Sequence, residues 1–166
     1  MNIIITRPLI DSEDFMGKLF SLGHTIIHVP TLKISKAELD PVDPDKYNAF
    51  IFTSANAIRS LDLLKLDKNK LCFCVGAITE KILRLQGYNN TISAGGTMNA
   101  LKNIIVNSGG LNKKKVLAYI CGDNITSDLD LELQKEGFQI EKIINYTSEK
   151  IKELTLDTKN LIIDHP

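Results

Sequence analysis

Short apolar runs alternate with segments of helical period along the chain. Asn2-Ile3-Ile4-Ile5-Thr6 is a nearly unbroken β-branched run, the pattern of a strand covered on both faces. Asp11 to Ser21 follows at helical spacing, with Phe15, Leu19 and Leu22 on one side and Gly23 as the stop. Thr25 to Val29 reads as the next strand, completing a βαβ unit. Pro30 to Lys46 breaks the rhythm with Pro30, Pro41 and Pro44 among Asp40, Asp43 and Asp45, and reads as a linker or crossing segment.

The alternation then restarts. Strands are expected at 49–53, 71–75, 91–93, 116–120 and 140–145, and helices at 55–64, 77–85, 98–106 and 125–136. Strands interleaved with helices predict a doubly wound parallel sheet of flavodoxin-like type, complete between Tyr47 and about Asn145. Tyr146 to Lys159 reads as polar and extended. Residues 160–166 share Asn, two Ile and Pro with residues 2–8, which predicts a strand joining the sheet begun by residues 2–29.

Composition narrows the function classes. The 166 residues hold 20 Lys+Arg against 20 Asp+Glu, so the net charge is zero and a basic nucleic-acid footprint is missing. The densest basic run, Lys113-Lys114-Lys115, sits before an expected strand and reads as a solvated loop. No apolar run is long enough to span a bilayer, and the first strand begins at Asn2, so the expectation is a soluble cytoplasmic protein without a signal peptide. Cys72, Cys74 and Cys121 form no disulfide framework. Cys72 and Cys74 share one face of an apolar strand with no His nearby in sequence, so reduced structural thiols are expected rather than a metal site.

In a doubly wound sheet, ligands bind outside the carboxyl ends of the strands, where backbone N–H groups are free. Three such ends are rich in hydroxyl and glycine residues: Thr53-Ser54-Ala55-Asn56, Val75-Gly76-Ala77-Ile78-Thr79 and Ala94-Gly95-Gly96-Thr97. Each suits an oxygen-rich anion, although Ser54 and Thr97 also sit where ordinary helix caps belong. No P-loop, GxGxxG turn, catalytic triad order or HExxH motif is present. The residues alone support a two-part α/β protein that binds an anionic ligand at its strand ends.

Thr6-Arg7-Pro8, Phe52-Thr53-Ser54-Ala55-Asn56-Ala57, Val75-Gly76-Ala77-Ile78-Thr79, Gly95-Gly96-Thr97, Tyr119-Ile120-Cys121-Gly122 and Tyr146-Thr147 occur in that order. Together they resemble the uroporphyrinogen-III synthase family of tetrapyrrole biosynthesis. The resemblance implies two flavodoxin-like α/β domains joined by a two-stranded linker. The first would be partial, from residues 1–30 and 151–166, the linker strands 31–35 and 146–150, and the second domain 36–145. It implies a cyclising hydro-lyase that closes hydroxymethylbilane to uroporphyrinogen III, with loss of water and inversion of the terminal ring. No metal or organic cofactor is implied. The substrate would be a small molecule, with functional coupling to hydroxymethylbilane synthase and no nucleic-acid or membrane partner.

Within that resemblance Tyr146 is the expected catalytic donor to the departing water, since a phenol is protonated at neutral pH. Arg7, Thr53, Ser54, Gly96 and Thr97 are the expected substrate-binding residues in an interdomain cleft, whereas Arg59 is expected on a solvated face. Family members run about half a domain longer and are expected as monomers. A chain truncated at Pro166 would expose the apolar faces of Ile3–Ile5 and Leu161–Ile163, inviting dimerisation and leaving activity in doubt. The competing readings are a non-catalytic tetrapyrrole- or anion-binding module of the same fold and an unrelated flavodoxin-like ligand-binding protein.

Overall fold

A computed structural model describes residues 1–40, 42–61 and 66–164. The chain divides into two compact units: Met1–Ser35 with Ser148–Pro166, and Lys36–Thr147.

In the first unit, β1 (Asn2–Ile5) leads through Pro8 into α1 (Leu9–Ser21), and β2 (Thr25–His28) returns parallel to β1 in the register Asn2↔Thr25 to Ile5↔His28. The turn between helix and strand runs through Gly23, whose φ of 81° is a left-handed geometry that costs glycine little. These two strands form a sheet of their own.

A six-stranded sheet of order β3-β8-β7-β4-β5-β6 supplies the second unit, apart from residues 32–35 of β3 and 148–150 of β8, which fall in the first unit. Its strands are β3 (Leu32–Lys36), β4 (Tyr47–Phe52), β5 (Leu71–Cys74), β6 (Thr91–Ser93), β7 (Val116–Gly122) and β8 (Gln139–Lys150). The pairs β8-β7, β7-β4, β4-β5 and β5-β6 are parallel. The helices are α2 (Ala55–Arg59), α3 (Ala77–Leu85), α4 (Met98–Asn107) and α5 (Leu129–Lys135). A mixed α/β fold with a parallel-dominated sheet is therefore present, as the alternating pattern predicts.

Strand periodicity explains the core. Ala49, Ile51, Phe73, Leu117, Tyr119 and Cys121 alternate onto one face, where they pack with Leu101 and Ile105 of α4 and Leu129 and Leu133 of α5. The intervening Phe50, Phe52, Cys72, Cys74, Ala118 and Ile120 are equally buried, on the face covered by α2 and α3. Both faces of the central strands are thus sealed, which is why they read as continuous apolar runs. The three cysteines are free and buried in this core, and burial pushes the Cys72 thiol up to about 12 and that of Cys121 up to about 11.

Several expected elements shift. The helix expected over 125–136 begins only at Leu129, and residues 123–128 form an irregular loop. The helix expected over 55–64 is observed as Ala55–Arg59, and residues 62–64 lie outside the described residues, as does Pro41 of the crossing segment. The strands expected at 140–145 and 146–150 are one continuous strand, β8.

The strand expected at 160–166 is corrected to a helix, α6 (Leu156–Asp164), with His165 and Pro166 outside the described residues. Thr155 Oγ1 accepts a hydrogen bond from Thr158 N at 3.2 Å, as an N-cap does, and this local cap outweighs the likeness to residues 2–8. The sheet of the first unit consequently has two strands, not three.

Candidate functional site

The strand order creates the site. From β4 the chain builds outward through β5 and β6, then crosses back to lay β7 and β8 on the other side. The order reverses between β4 and β7, and loops leaving adjacent strands in opposite directions open a crevice at their carboxyl ends. A pocket of about 140 Å³ lies at this position, lined by Thr53 and Ser54 after β4, by the loop after β7, by Met98 and by Tyr146. All of its lining residues belong to the Lys36–Thr147 unit.

Each wall has a local cause. Ser54 follows β4 in extended conformation, and its Oγ accepts from Asn56 N at 3.2 Å, capping α2. Thr53 Oγ1 and the Tyr119 hydroxyl are hydrogen-bonded at 3.1 Å. Tyr119 is sealed in the core, and burial raises its phenol to about 12 against the opposing effect of the Thr53 bond. It therefore stays neutral through the physiological range and fixes Thr53.

The loop after β7 supplies Asn124, Ile125, Thr126 and Ser127. Ser127 lines the pocket, and its Oγ is shielded from solvent without a hydrogen-bond partner.

Tyr146 reaches the pocket through a bulge in β8. Cys121 pairs with Ile144, but Gly122 pairs with Tyr146, so Asn145 is an extra residue in the ladder. Burial along β8 reflects this: alternation holds through Ile143 and Ile144, then Asn145 and Tyr146 are buried in succession. Asn145 Nδ2 donates to Ala57 O at 2.6 Å, and Asp123 N donates to Tyr146 O at 3.1 Å.

Of the six residues expected from the sequence, the pocket brings together Thr53, Ser54 and Tyr146. Gly96 and Thr97 follow β6, two strands from β4, and are exposed; Thr97 Oγ1 caps α4 by accepting from Ala100 N at 3.2 Å. Gly96 has a φ of 112° and donates its N–H to Val75 O at 2.6 Å, a conformation that favours glycine. Arg7 belongs to the other unit and is exposed, its carbonyl accepting from His28 Nε2 at 2.8 Å. Arg59 Nη1 donates to Asn56 Oδ1 at 2.9 Å on the half-buried flank of α2, rather than lying on a fully solvated face.

Sequence reasoning missed Tyr119 and the 124–127 loop as site components. The signal was present: Asn124-Ile125-Thr126-Ser127 is another polar, hydroxyl-bearing strand end. Among the described residues no group of three or more His, Cys, Asp or Glu is arranged to hold a metal ion. Among them, too, no helix is long and apolar enough to cross a membrane.

A family model described as uroporphyrinogen-III synthase HemD matches residues 13–165. The chain belongs to the uroporphyrinogen-III synthase family. Its fold is similar to the crystal structure of uroporphyrinogen-III synthetase from Helicobacter pylori, with 25% identity and a TM-score of 0.58 over 81% of this chain and 60% of that one. A mutant uroporphyrinogen III synthase from the extremely thermophilic bacterium Thermus thermophilus shares the fold at 17% identity and a TM-score of 0.60, over 91% of this chain and 64% of that one. This family member thus spans less than two-thirds of the length of either solved chain. No curated protein sequence matches it.

Proposed function

We propose that this chain carries uroporphyrinogen-III synthase chemistry, the dehydrative closure of hydroxymethylbilane with inversion of its terminal ring. The observation that carries the reading is a pocket at the switch point of the sheet that joins hydroxyl groups to a tyrosine phenol, in a chain matched to the family over residues 13–165. At about 140 Å³ the pocket is smaller than the roughly 300–1,000 Å³ typical of sites enclosing a whole drug-sized ligand. It suits one ring or one side arm of an extended tetrapyrrole.

The mechanism then follows from position. The Tyr146 phenol donates a proton to the hydroxyl leaving the methylene on one terminal ring, water departs, and the resulting electrophilic azafulvene is attacked by the substituted carbon of the terminal ring at the other end of the chain. The spiro intermediate fragments and recloses with the ring inverted. Unassisted closure gives the symmetric isomer I, so the main task is holding the chain in the conformation that leads to isomer III. Thr53 and Ser54 bind the ring and its carboxylates through hydroxyl and backbone groups. Gly96 and Thr97 bind further carboxylates, and Arg7 supplies a cation for another. Neutral hydrogen-bond donors suit a chain with zero net charge and an anionic substrate.

The finer architecture belongs to the same proposal: flavodoxin-like domains from residues 1–30 with 151–166 and from 36–145, joined by linker strands 31–35 and 146–150. So do a cytoplasmic location, a monomer as the unit of activity and supply of substrate by hydroxymethylbilane synthase. The test is a coupled assay in which that enzyme generates hydroxymethylbilane in place and the oxidised products are separated by isomer. Isomer III above the enzyme-free control is expected. Isomer I alone would reject turnover and favour a binding module of the same fold.

A further inference from the structure

We infer that Gly122 is a positioning residue for the Tyr146 phenol: the missing side chain at 122 is the space the ring occupies. A Cβ built on Gly122 would lie 2.5 Å from Tyr146 Cζ, 2.6 Å from Cε2 and 2.9 Å from the hydroxyl oxygen. Contacts below 3.0 Å are essentially never tolerated, so one partner must move.

Conformation is not the reason for glycine at this position. Gly122 is not among the residues with positive φ, and it continues the β7 ladder as the partner of Tyr146. The strands around it are firmly held. Asn145 Nδ2 bonds Ala57 O at 2.6 Å, Asn145 O accepts from Ala37 N at 3.1 Å, and Tyr146 O accepts from Asp123 N at 3.1 Å. The clashing atoms, by contrast, form the far end of one side chain. A methyl group at 122 therefore swings the ring about its side-chain torsions and leaves the backbone in place. The bulge at Asn145 turns Tyr146 inward, and Gly122 sets where its hydroxyl comes to rest.

This consequence for catalysis rests on the proposed role of Tyr146, but the placement of the ring does not, and the experiment separates them. The full chain is labelled with ring-¹³C tyrosine, and its four signals, from Tyr47, Tyr88, Tyr119 and Tyr146, are assigned with the aid of Y146F. Gly122→Ala is expected to move the Tyr146 signal while those of Tyr47 and Tyr88 stay. Gly109→Ala, which has open space around the added methyl, is expected to move none. An unmoved Tyr146 signal in G122A overturns the inference.

Should G122A fail to fold, G122A/Y146A decides. A folded double variant with the melting temperature of Y146A shows the ring was the obstacle, and an unfolded one overturns the inference. With the coupled assay, G122A is expected to lower kcat on the order of 10- to 100-fold with little change in KM, and to add no further loss in the Y146A background. Equal losses in both backgrounds would overturn the positioning role. Absence of turnover in the parent chain would count against the proposed function alone, with the tyrosine signals still deciding the inference.

Discussion

Ile51 and Phe73 in the Lys36–Thr147 unit have no solvent exposure, while Phe20 and Leu22 at the end of α1 in the other unit are 73% and 72% exposed. Both units are written in the same alphabet of Ile- and Leu-rich strands and amphipathic helices. What differs is how many strands and layers each assembles. Six strands with helices on both faces seal their central strands completely, whereas two parallel strands leave Ile27 and Val29 as the buried apolar side chains among the described residues of the smaller unit. Local pattern makes an element, and only a layered neighbourhood makes a core. The same contrast divides the expected site, with a pocket bounded by core residues in one unit and an exposed arginine in the other.

The contrast predicts unequal consequences. Phe73→Ala, which empties the centre of the sealed core, should cost about 3–5 kcal/mol in chemical denaturation and leave the larger unit largely unfolded under mild conditions. Raising the pH should have the next largest effect. The buried Cys72, Cys121 and Tyr119 all have raised pKa values, so in the folded state each keeps its proton at a pH where the unfolded chain loses it. Their contribution is full below the unfolded values of 9.0 for the thiols and 10.0 for the phenol, and is lost progressively up to about 11–12. Melting followed against pH should therefore show a steep alkaline loss in this unit. A flat profile from about pH 8 to 12 would mean these groups are not sealed.

Two substitutions sharpen the functional side of the comparison. Tyr146→Phe should reduce kcat roughly 10- to 100-fold, less than removal of an indispensable acid, with KM nearly unchanged. Arg7→Ala should instead raise KM several-fold by removing charge assistance to binding. A kcat effect from Arg7 equal to that from Tyr146 would break the assignment of chemistry to one unit. Ser54→Ala should remove about 1 kcal/mol of stability through the lost cap of α2. The smallest effect belongs to Phe20→Ala, expected within about 0.5 kcal/mol because the ring is already in solvent. A loss there comparable to that of Phe73→Ala would show that this face is covered in solution.

The pattern of the chain made the central strands legible because sealed strands must be continuously apolar and are bounded by glycine, proline and hydroxyl residues. It also placed Thr53 and Ser54 at a strand end, whereas Tyr146 came from the family resemblance and lies inside β8. Strand order was not legible. Nothing in the period of residues 116–122 says that β7 lies beside β4, and that adjacency alone brings Tyr119 to Thr53 and the 124–127 loop into the pocket. The bulge at Asn145 escaped for a related reason, since its signature is a pairing with β7 rather than a composition. Residues 160–163 misled because Leu161-Ile162-Ile163 imitates Ile3-Ile4-Ile5, while the deciding signal, Thr155 capping α6, lies outside the apolar run.

The central claim is that the switch-point pocket of the larger unit handles the tetrapyrrole. Backbone amide NMR of the full chain, titrated with uroporphyrin III as a stable oxidised form of the product, tests it whether or not the chain turns over. Saturable shifts concentrated at Thr53, Ser54, Gly122 to Ser127 and Tyr146 are expected. Shifts that spare these residues, or no binding at all, would contradict it.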